Sequence, residues 1–439
     1  MTNDDAARRR RTRTLLTALT GAVACAALAL LGLQRSWRAG REGVLADLER
    51  DGLAVTPEAL DPPAPAAAAG ADLARLLGRL DDLPEPVQRV TEWGPRHVLD
   101  ALADPTSLDA QAIYAPGPDD PPDLAGALAL VGARLDPFEA DLDRALAGPC
   151  ELPVRWSEGL TGPAPDLAGV KRLALALRAR AVGHAHAGRA DAAWADVERA
   201  LRLARAADGP WLIGRIMHDV LVEEGVAAVA TLLTACGPPD ADRLARLDAA
   251  LAALDGAGGF ARALRGELAL TETTLEASGP EGAAARLLFA RWRRDHTRLM
   301  ADAIRAAAAP EAVDARSPLS ELERRTVDAS PLTQLVFPAV ARLHSRDLAA
   351  LALARAARAA LSLAAADALP ERPADLPRDP LDPAGGAIRW RRDGPRAATL
   401  WSVGVDGRDD GGRAPDRDAG EGLLSDGVDV VLRLALPAR

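Results

Sequence analysis

The feature that most constrains this chain is an uncharged, apolar stretch near its start, Thr14–Leu33. At about 1.5 Å of rise per residue, a helix of this length crosses a hydrocarbon core of roughly 30 Å. Arginines flank the stretch, with the heavier cluster before it: Arg8, Arg9, Arg10, Arg11 and Arg13 precede it, and Arg35, Arg38 and Arg41 follow it. The positive-inside rule therefore predicts a single-pass anchor in the inner membrane, with a cytoplasmic N-terminus and everything from Gln34 onward outside the membrane.

Two other export segments are compatible with this stretch. Cys25 follows Ala-Val-Ala, which loosely fits a lipoprotein signal, and a basic region before an apolar core also occurs in cleaved signal peptides. The apolar run continues through Ala26–Leu33, where a mature lipoprotein usually turns polar, and the arginine run fits a twin-arginine signal poorly. We therefore favour a retained anchor over a lipoprotein, and a lipoprotein over a cleaved signal. All three export the same body.

The composition places a large helical body behind the anchor. Of the 439 residues, 49% are hydrophobic, which is ample for more than one domain. The long alanine–leucine segments favour helix, and the formal net charge of −10 argues against binding nucleic acid. The predicted organisation is a cytoplasmic basic tail (1–13), the anchor (14–33), a juxtamembrane helix with a Pro/Ala linker (34–70), an exported helical body (71–330), and a long helix with a small β module (331–439).

Apolar side chains recur at helical spacing through most of the body. The segment Leu175–Ala206 resembles a tetratricopeptide hairpin, with small residues at the helix contact and a turn at Gly188, but we find no further copy at a fixed period. The body is therefore predicted to be an α-helical bundle or a TPR-like helical-hairpin body. The other predicted helices include Ser36–Arg50, Leu124–Leu135, Phe138–Leu146, Asp240–Leu254, Phe260–Ala277 and Pro280–Ala308.

Three proline-rich segments predict breaks between helices. Val55–Gly70 is expected to be a semi-extended tether, because proline removes a backbone donor and blocks regular pairing. Ala103–Pro122 is expected to be a loop, and Cys150–Leu160 an extended strap across helices. The cysteines of the exported body, Cys150 and Cys236, could form a disulfide in an oxidising compartment. Two separate buried thiols are the favoured alternative.

The composition changes in the last quarter of the chain. Pro331–Asp367 is predicted to be a long helix that Pro338 kinks or divides, and prolines then punctuate the chain as far as Pro383. Three strand-like runs follow: Ala387–Arg391, Ala398–Val403 and Val428–Leu434. This order predicts a small α+β module with a short antiparallel sheet.

The residues of this module resemble the C-terminal module of the G-type major pseudopilin of type II secretion. The likeness is carried by these residues: Asp379-Pro380, Gly385-Gly386, Trp390, Trp401, Ser402, Gly404, Asp406, Gly407 and Asp429. The preceding helix Leu348–Asp367 takes the place of the pilin helix. A true pseudopilin joins its membrane helix directly to this module and carries a prepilin-peptidase site, whereas a long helical body intervenes here. The resemblance therefore implies a pseudopilin-like fold for the module, not a pilus subunit.

The resemblance also implies a calcium-binding loop, and the segment has suitable chemistry. Calcium prefers about six to eight oxygen ligands from carboxylates and backbone carbonyls on flexible loops. Asp406 and Asp429 match the family's positions, and Asp409, Asp410 and Asp426 are plausible additional ligands. The alternative is a solvated acidic loop whose aspartates are neutralised by neighbouring arginines and held by turn hydrogen bonds; those arginines are Arg408, Arg413 and Arg417.

Two histidine-containing clusters elsewhere do not predict a site. His184 and His186 are two residues apart on a predicted helix and so point to different faces, which prevents them from sharing one metal ion. His218 and Asp219, with Glu223 and Glu224, lack the H-E-x-x-H spacing of a zinc site and are expected to form a charged helix edge. The sequence contains no nucleophile elbow, no phosphate-binding glycine loop and no dinucleotide fingerprint.

These observations predict a membrane-anchored, non-enzymatic protein of the cell envelope. Its helical body would offer a face to a protein partner, and the β module would form a cap that could hold calcium. The first alternative is an exported enzyme whose site is assembled from distant residues. The second is an accessory or client of a type II secretion-like system, which the C-terminal resemblance alone suggests.

Overall fold

The structure is a computed structural model of the chain. It describes residues 29–80, 85–91, 93–117, 120–162, 164–256, 258–277, 283–308, 319, 321–322, 324, 340–366, 368–415 and 428–437. The fold is mainly helical with a small three-stranded antiparallel sheet, which confirms the predicted fold class at this level.

The described helices cover most of the predicted body. They are α1 (29–50), α2 (Pro57–Leu60), α3 (Ala64–Leu77), α4 (Glu85–Thr91), α5 (Pro95–Ala103), α6 (Leu108–Ile113), α7 (Leu124–Leu135), α8 (Glu139–Ala145), α9 (Leu167–His186), α10 (Ala190–Ala207), α11 (Leu212–Ala235), α12 (Ala241–Leu254), α13 (Gly259–Ala277), α14 (Ala283–Ala308) and α15 (Val340–Ala364). Short 3-10 turns lie at Asp136–Phe138 and Trp156–Thr161.

The centre of the body is built from α9, α10, α11 and α15. The hairpin of α9 and α10 turns at Gly188, whose positive φ of 73° suits a residue without a Cβ atom. α11 packs against α9, α10 and α15, and α12 covers α10 and α15. α15 is rich in alanine on all sides and buried on most of them, which is typical of a helix enclosed by other elements.

Local signals explain where several helices begin. Asp123, Asp166 and Asp240 each accept a hydrogen bond from the backbone N–H three residues later, which satisfies one unpaired donor at the start of α7, α9 and α12. α13 approaches the chain before α11 so closely that a Cβ atom on Gly266 would lie 1.4 Å from the carbonyl oxygen of Pro210. Glycine is therefore required at this crossing.

The sheet contains β1 (Arg389–Gly394), β2 (Ala397–Ser402) and β3 (Val430–Ala435) in the order β1-β2-β3. Both neighbouring pairs are antiparallel, and Leu400 on the central strand is paired with Trp390 and with Leu432. β2 and β3 pack on α15, and β3 also packs on α11. A continuous cluster of buried apolar side chains therefore joins the sheet to the centre of the helical body.

α1 is attached to the rest of the body. Leu48 is fully buried and belongs to a cluster formed with apolar side chains of α13, α14 and α15. Arg41 Nη1 lies 2.8 Å from Glu272 Oε2 on α13, and Arg305 Nε on α14 lies 2.9 Å from Asp51 Oδ2 just after α1. The helix predicted over Ser36–Arg50 is therefore present and is held at its middle and at its C-terminal end.

The proline-rich segments are more ordered than the sequence suggests. The expected tether Val55–Gly70 instead contains α2 and the first half of α3, and the expected loop Ala103–Pro122 contains α6. Prolines stand in the first turns of α2 and α3, where the missing N–H has no intrahelical partner anyway. Burial of Leu60 and Leu73 then stabilises these helices against the body.

The predicted strap over Cys150–Leu160 is extended at first and then forms a 3-10 turn. Trp156 fixes this turn to the chain after α2, because its Nε1–H donates a hydrogen bond to Asp61 Oδ1 at 2.6 Å. Cys150 and Cys236 are both free, and burial raises the pKa of the Cys150 thiol to about 11. The alternative of two separate thiols is the one observed.

No helix among the described residues is long and apolar enough to cross a bilayer. Residues 14–28, the larger part of the predicted anchor, lie outside those residues, so the anchor remains a prediction. The predicted kink at Pro338 and the predicted boundary between 330 and 331 also lie outside the described part of the chain.

Candidate functional site

The predicted calcium loop is organised around an arginine. Arg389, on β1, reaches three carboxylates with its three nitrogens: Nη1 lies 3.0 Å from Asp379 Oδ2, Nη2 lies 3.0 Å from Asp382 Oδ2, and Nε lies 2.9 Å from Asp409 Oδ2. Charge-assisted hydrogen bonds of this kind are stronger than hydrogen bonds between neutral groups, and the planar guanidinium fixes their directions. Arg389 therefore links the chain before β1 to the aspartate loop after β2.

Asp379 is the most buried carboxylate of this cluster, with 1% of its surface exposed. One oxygen accepts from the hydroxyl of Ser402 at 2.5 Å and from Leu381 N, and the other accepts from Val403 N at 3.0 Å. Burial raises the pKa of Asp379, and these hydrogen bonds and Arg389 oppose that rise. The carboxylate fastens the Asp379-Pro380 turn to the end of β2.

Asp409 and Asp406 are occupied by donors from the loop itself. Asp409 Oδ1 accepts from the indole nitrogen of Trp401 at 2.8 Å and from Gly411 N at 3.0 Å. Asp406 accepts from Arg408 N at 3.0 Å. Burial by itself would raise the pKa of Asp409, but the hydrogen bonds to its carboxylate and the charge of Arg389 lower the pKa overall.

Asp429 is fully buried at the start of β3. It accepts from Gly412 N at 2.7 Å and from Asp410 N at 3.3 Å, so the backbone of the loop is brought to its carboxylate. Burial raises the pKa of Asp429. Of the five predicted ligands, Asp426 lies outside the described residues, and the other four are placed as given above.

Calcium binding by this loop remains a prediction. The described part of the chain contains no group of three or more histidine, cysteine or acidic side chains arranged to hold a metal ion. Arg389 lies at the centre of the acidic side chains of this loop and neutralises part of their charge. The sequence did not reveal this role of Arg389. The arginines considered for that role, Arg408, Arg413 and Arg417, lie in the loop, whereas Arg389 lies on a strand.

Replacing Arg389 by leucine tests this arrangement. We expect a loss of about 2 kcal/mol of unfolding free energy, because charge-assisted hydrogen bonds to three carboxylates are removed. Millimolar calcium should then raise the melting temperature of R389L by neutralising the same carboxylates, and should leave wild type almost unchanged. Thermal unfolding of the full chain, followed by near-UV circular dichroism in calcium or EDTA, measures both effects.

The matched control is Arg392→Leu, on the exposed part of the same strand. It should change neither stability nor the calcium response by much, because exposed arginines contribute little. If calcium raises the melting temperature of wild type by several degrees, and raises that of R389L by the same amount, the arginine-centred arrangement is contradicted and the calcium prediction is supported.

The two histidines at the end of α9 lie in different surroundings. His184 is half-buried; its Nδ1 accepts from Arg189 Nε at 3.1 Å, and its Nε2 lies 3.7 Å from Asp196 Oδ2. His186 is exposed. Burial lowers the pKa of His184. These contacts attach His184 to the ion pairs of the helical hairpin.

A groove of about 600 Å³ opens beside these histidines, between α5, α7 and the end of α9. Its α7 wall contains Leu128 and four small residues, Ala125, Ala129, Gly132 and Ala133. Its floor includes Arg180, which makes a bidentate pair with the fully buried Asp196 at 2.6 and 2.7 Å. The floor is therefore rigid, and the wall allows close approach by another backbone.

The prediction of a charged helix edge at His218 and Asp219 is wrong. Both residues are 2% exposed, because α10 and α15 cover this face of α11. Glu223 and Glu224 are only partly exposed, and pair with Arg346 and Arg178 respectively. The cluster is therefore part of the interior.

Arg215 is the centre of the buried cluster. Its Nη1 lies 2.9 Å from Asp208 Oδ1, its Nε pairs with Asp347 Oδ1 on α15, and its Nε lies 3.8 Å from Asp219 Oδ1 one turn along α11. All four side chains are less than a tenth exposed. One buried cation thus faces three carboxylates from three different elements.

The carboxylates of this cluster differ in their proton affinity. Burial raises the pKa of Asp208, but Arg215, His218 and Arg205 together lower it to about 2. Burial and the neighbouring Asp347 raise the pKa of Asp219 well above its usual value. Burial thus favours the protonated form of the Asp219 carboxyl, whereas the cations around Asp208 favour its ionised form.

His218 completes the cluster as a neutral group. Its Nδ1 lies 2.8 Å from the carbonyl oxygen of Ala204, and burial together with Arg215 lowers its pKa to about 4. The sequence contained one signal of this arrangement, since Arg215 and Asp219 are four residues apart within an apolar helix. The contributions of Asp208 and Asp347 had no such signal.

Comparisons with protein-family models, with curated proteins and with solved structures gave no match to this chain.

Proposed function

We propose that this chain is a non-enzymatic protein of the cell envelope, anchored in the inner membrane through Thr14–Leu33, with its helical body outside. The supporting observation is α1. The described part of this helix starts at residue 29, within the predicted anchor, continues past Leu33 without interruption, and packs into the body through Leu48 and the Arg41–Glu272 pair. A continuous helix fixed at its far end would hold the body close to the membrane surface.

A protein-interaction role is the second part of the proposal. The groove between α5, α7 and α9 supports it, because small residues on α7 allow the backbone of a partner helix to approach closely. Exposed Arg189 and Asp136 line the same groove and would fix the orientation of a partner that carries complementary charges. A pull-down from membranes would identify the partner.

The C-terminal resemblance supports a link to a type II secretion-like system as an alternative. The order of elements, a long helix followed by three antiparallel strands, is the one that the pseudopilin-like module implies. Under this alternative the membrane pull-down should recover components of a secretion machine.

The topology can be tested with reporter fusions. A C-terminal alkaline phosphatase, which is active only outside the cytoplasm, should be active, and the same chain fused to a cytoplasm-only fluorescent protein should be dark. The protein should remain in the membrane pellet after washing with high salt. Arginine in the middle of a span costs about 2.5–3.5 kcal/mol of insertion free energy, so a Leu19→Arg/Val23→Arg variant should silence the phosphatase.

Two outcomes separate the remaining possibilities. Wild type should incorporate no labelled palmitate if the span is retained, and should incorporate a label that Cys25→Ser abolishes if Cys25 is lipidated. A silent phosphatase, with the wild-type protein in the soluble cytosolic fraction, would refute the proposed location.

A further inference from the structure

A second groove lies where α1 meets α13 and α14. It has a volume of about 400 Å³, and its α1 wall is formed by residues 34–42, which directly follow the predicted anchor. Three arginines, two glutamates and two aromatic side chains line it: Arg38, Arg41, Arg293, Glu42, Glu276, Trp37 and Phe289. In the proposed topology this groove would be the part of the body nearest the membrane surface.

Two arginines of the groove are held by ion pairs, but each has a nitrogen without a hydrogen-bond acceptor among the described residues. Arg41 Nη1 lies 2.8 Å from Glu272 Oε2, and Arg293 Nη2 pairs with the same oxygen. Glu276 Oε1 lies 3.3 Å from Arg293 Nη2 and 3.8 Å from Arg41 Nη1. Glu272 is held in turn by the hydroxyl of Thr297 at 2.8 Å. The Nε atoms of Arg41 and Arg293 are nevertheless buried without a hydrogen-bond acceptor among the described residues. A buried donor in this state is costly unless a ligand supplies the acceptor.

The charge of this region is opposite to that of the whole chain. Residues 34–42, 272–276 and 289–298 together carry seven arginines and four acidic residues, whereas the formal net charge of the chain is −10. The arginines are Arg35, Arg38, Arg41, Arg291, Arg293, Arg294 and Arg298. The excess of positive charge favours an anionic ligand.

Exposed apolar side chains lie next to the groove. Leu30, Leu31 and Leu33, the last leucines of the predicted anchor, are 40–52% exposed, and Leu288 on α14 is 68% exposed. The guanidinium of Arg294 lies 5.7 Å from the ring centre of Trp37, which holds the two helices together at the groove. Arginine, tryptophan and exposed leucine at one site are typical of the boundary between membrane and water.

We propose that this groove binds the phosphate of an anionic phospholipid headgroup, with Arg38, Arg41 and Arg293 as its donors. Phosphate oxygens accept charge-assisted hydrogen bonds from guanidinium groups, often two at a time. The adjoining leucines would contact the acyl chains. This inference rests on the proposed membrane location, because α1 brings the groove to the membrane surface only if the preceding residues span it.

The test uses the full chain in a neutral detergent, titrated calorimetrically with a short-chain phosphatidylglycerol. Phosphatidylcholine of the same chain length and inorganic phosphate are titrated in parallel. We expect phosphatidylglycerol to bind about tenfold more tightly than either. Equal binding of the two lipids would overturn the proposal, and equal binding of inorganic phosphate and phosphatidylglycerol would show a site for a soluble anion instead.

Variants assign the binding to this groove. Arg38→Ala, which removes an exposed side chain, should weaken phosphatidylglycerol binding about tenfold without changing the melting temperature. Arg293→Lys keeps the charge but lacks the Nε donor, and should weaken binding severalfold. Arg392→Ala, an exposed arginine on β1 that is not among the groove residues, is the control and should bind as wild type. Unaltered binding by R38A and R293K would overturn the assignment.

This experiment is independent of the test of topology, because detergent-solubilised protein needs no translocation. If the phosphatase reporter is active but the purified protein binds both lipids equally, the headgroup site is refuted and the anchor stands. If the reporter is silent but the protein binds phosphatidylglycerol in a way that depends on Arg38, the exported location is refuted and the site stands.

Discussion

Replacing Arg215 by methionine is expected to destabilise the folded chain by about 3–5 kcal/mol, the cost of leaving a buried charge without its partner. The reason is that Arg215 is the shared counter-ion of three buried carboxylates, Asp208, Asp219 and Asp347. Methionine fills a similar length of the cavity but supplies no charge and no donor. Urea unfolding of the full chain, followed by tryptophan fluorescence, measures the loss.

The matched control is Arg358→Met, which removes a partly exposed arginine on α15 that pairs with Asp248. Pairs of this kind are worth about 0–1 kcal/mol, so R358M should unfold almost as wild type does. Adding Asp347→Asn to R215M should recover part of the loss, because fewer negative charges then remain buried. A loss below about 1 kcal/mol in R215M would contradict the central role of Arg215.

The second large effect is a loss of stability in acid that depends on His296. This side chain is fully buried on α14, stacks on Trp292 with ring centres 5.6 Å apart, and has no hydrogen-bond partner on either ring nitrogen among the described residues. Burial lowers its pKa to about 4, with Glu272 on α13 opposing the shift. The folded state therefore strongly prefers the neutral ring.

The direction of the pH effect follows from that preference. An unfolded histidine titrates near 6.5, so the stability that the neutral ring contributes is fully present above that pH and is lost as pH falls towards 4. At 1.36 kcal/mol for each pKa unit, the loss amounts to about 3 kcal/mol. His218, whose pKa is also lowered to about 4, adds an effect of the same sign.

A His296→Phe variant separates the contribution of His296 to this pH dependence from that of His218. Phenylalanine can stack on Trp292 and carries no polar nitrogen, so we expect H296F to match or exceed wild-type stability at neutral pH. Between pH 6.5 and 4, wild type should lose about 3 kcal/mol more than H296F. His186→Gln, at an exposed position, should follow the wild-type curve. Parallel curves for wild type and H296F would show that His296 is not held neutral.

The helices and strands could be predicted from the sequence because their signals are local. The aspartate caps of α7, α9 and α12, the glycine turn at Gly188 and the alternating pattern of β3 all act within a few residues. The segment Val55–Gly70 could not be predicted in this way. The same prolines suit an extended chain and the first turn of a helix, and burial of Leu60 and Leu73 against distant helices decides between them.

The ionic centres depend on residues that are far apart in the sequence. Arg389 meets carboxylates from turns before β1 and after β2, and nothing in the strand pattern marks it as their partner. Asp347 reaches Arg215 across more than a hundred residues. Charged residues of this kind look like solvated surface in the sequence, because their burial is set by tertiary packing rather than by periodicity.

The position of β3 has a consequence for how the body matures. In the proposed topology the chain leaves the cytoplasm with its anchored end first, so α9, α10 and α11 emerge long before residues 430–435. Until those residues arrive, one edge of β2 and the apolar faces of α11 and α15 that β3 covers are open to chaperones and proteases. A chain that stalled before residue 430 would therefore keep these surfaces uncovered.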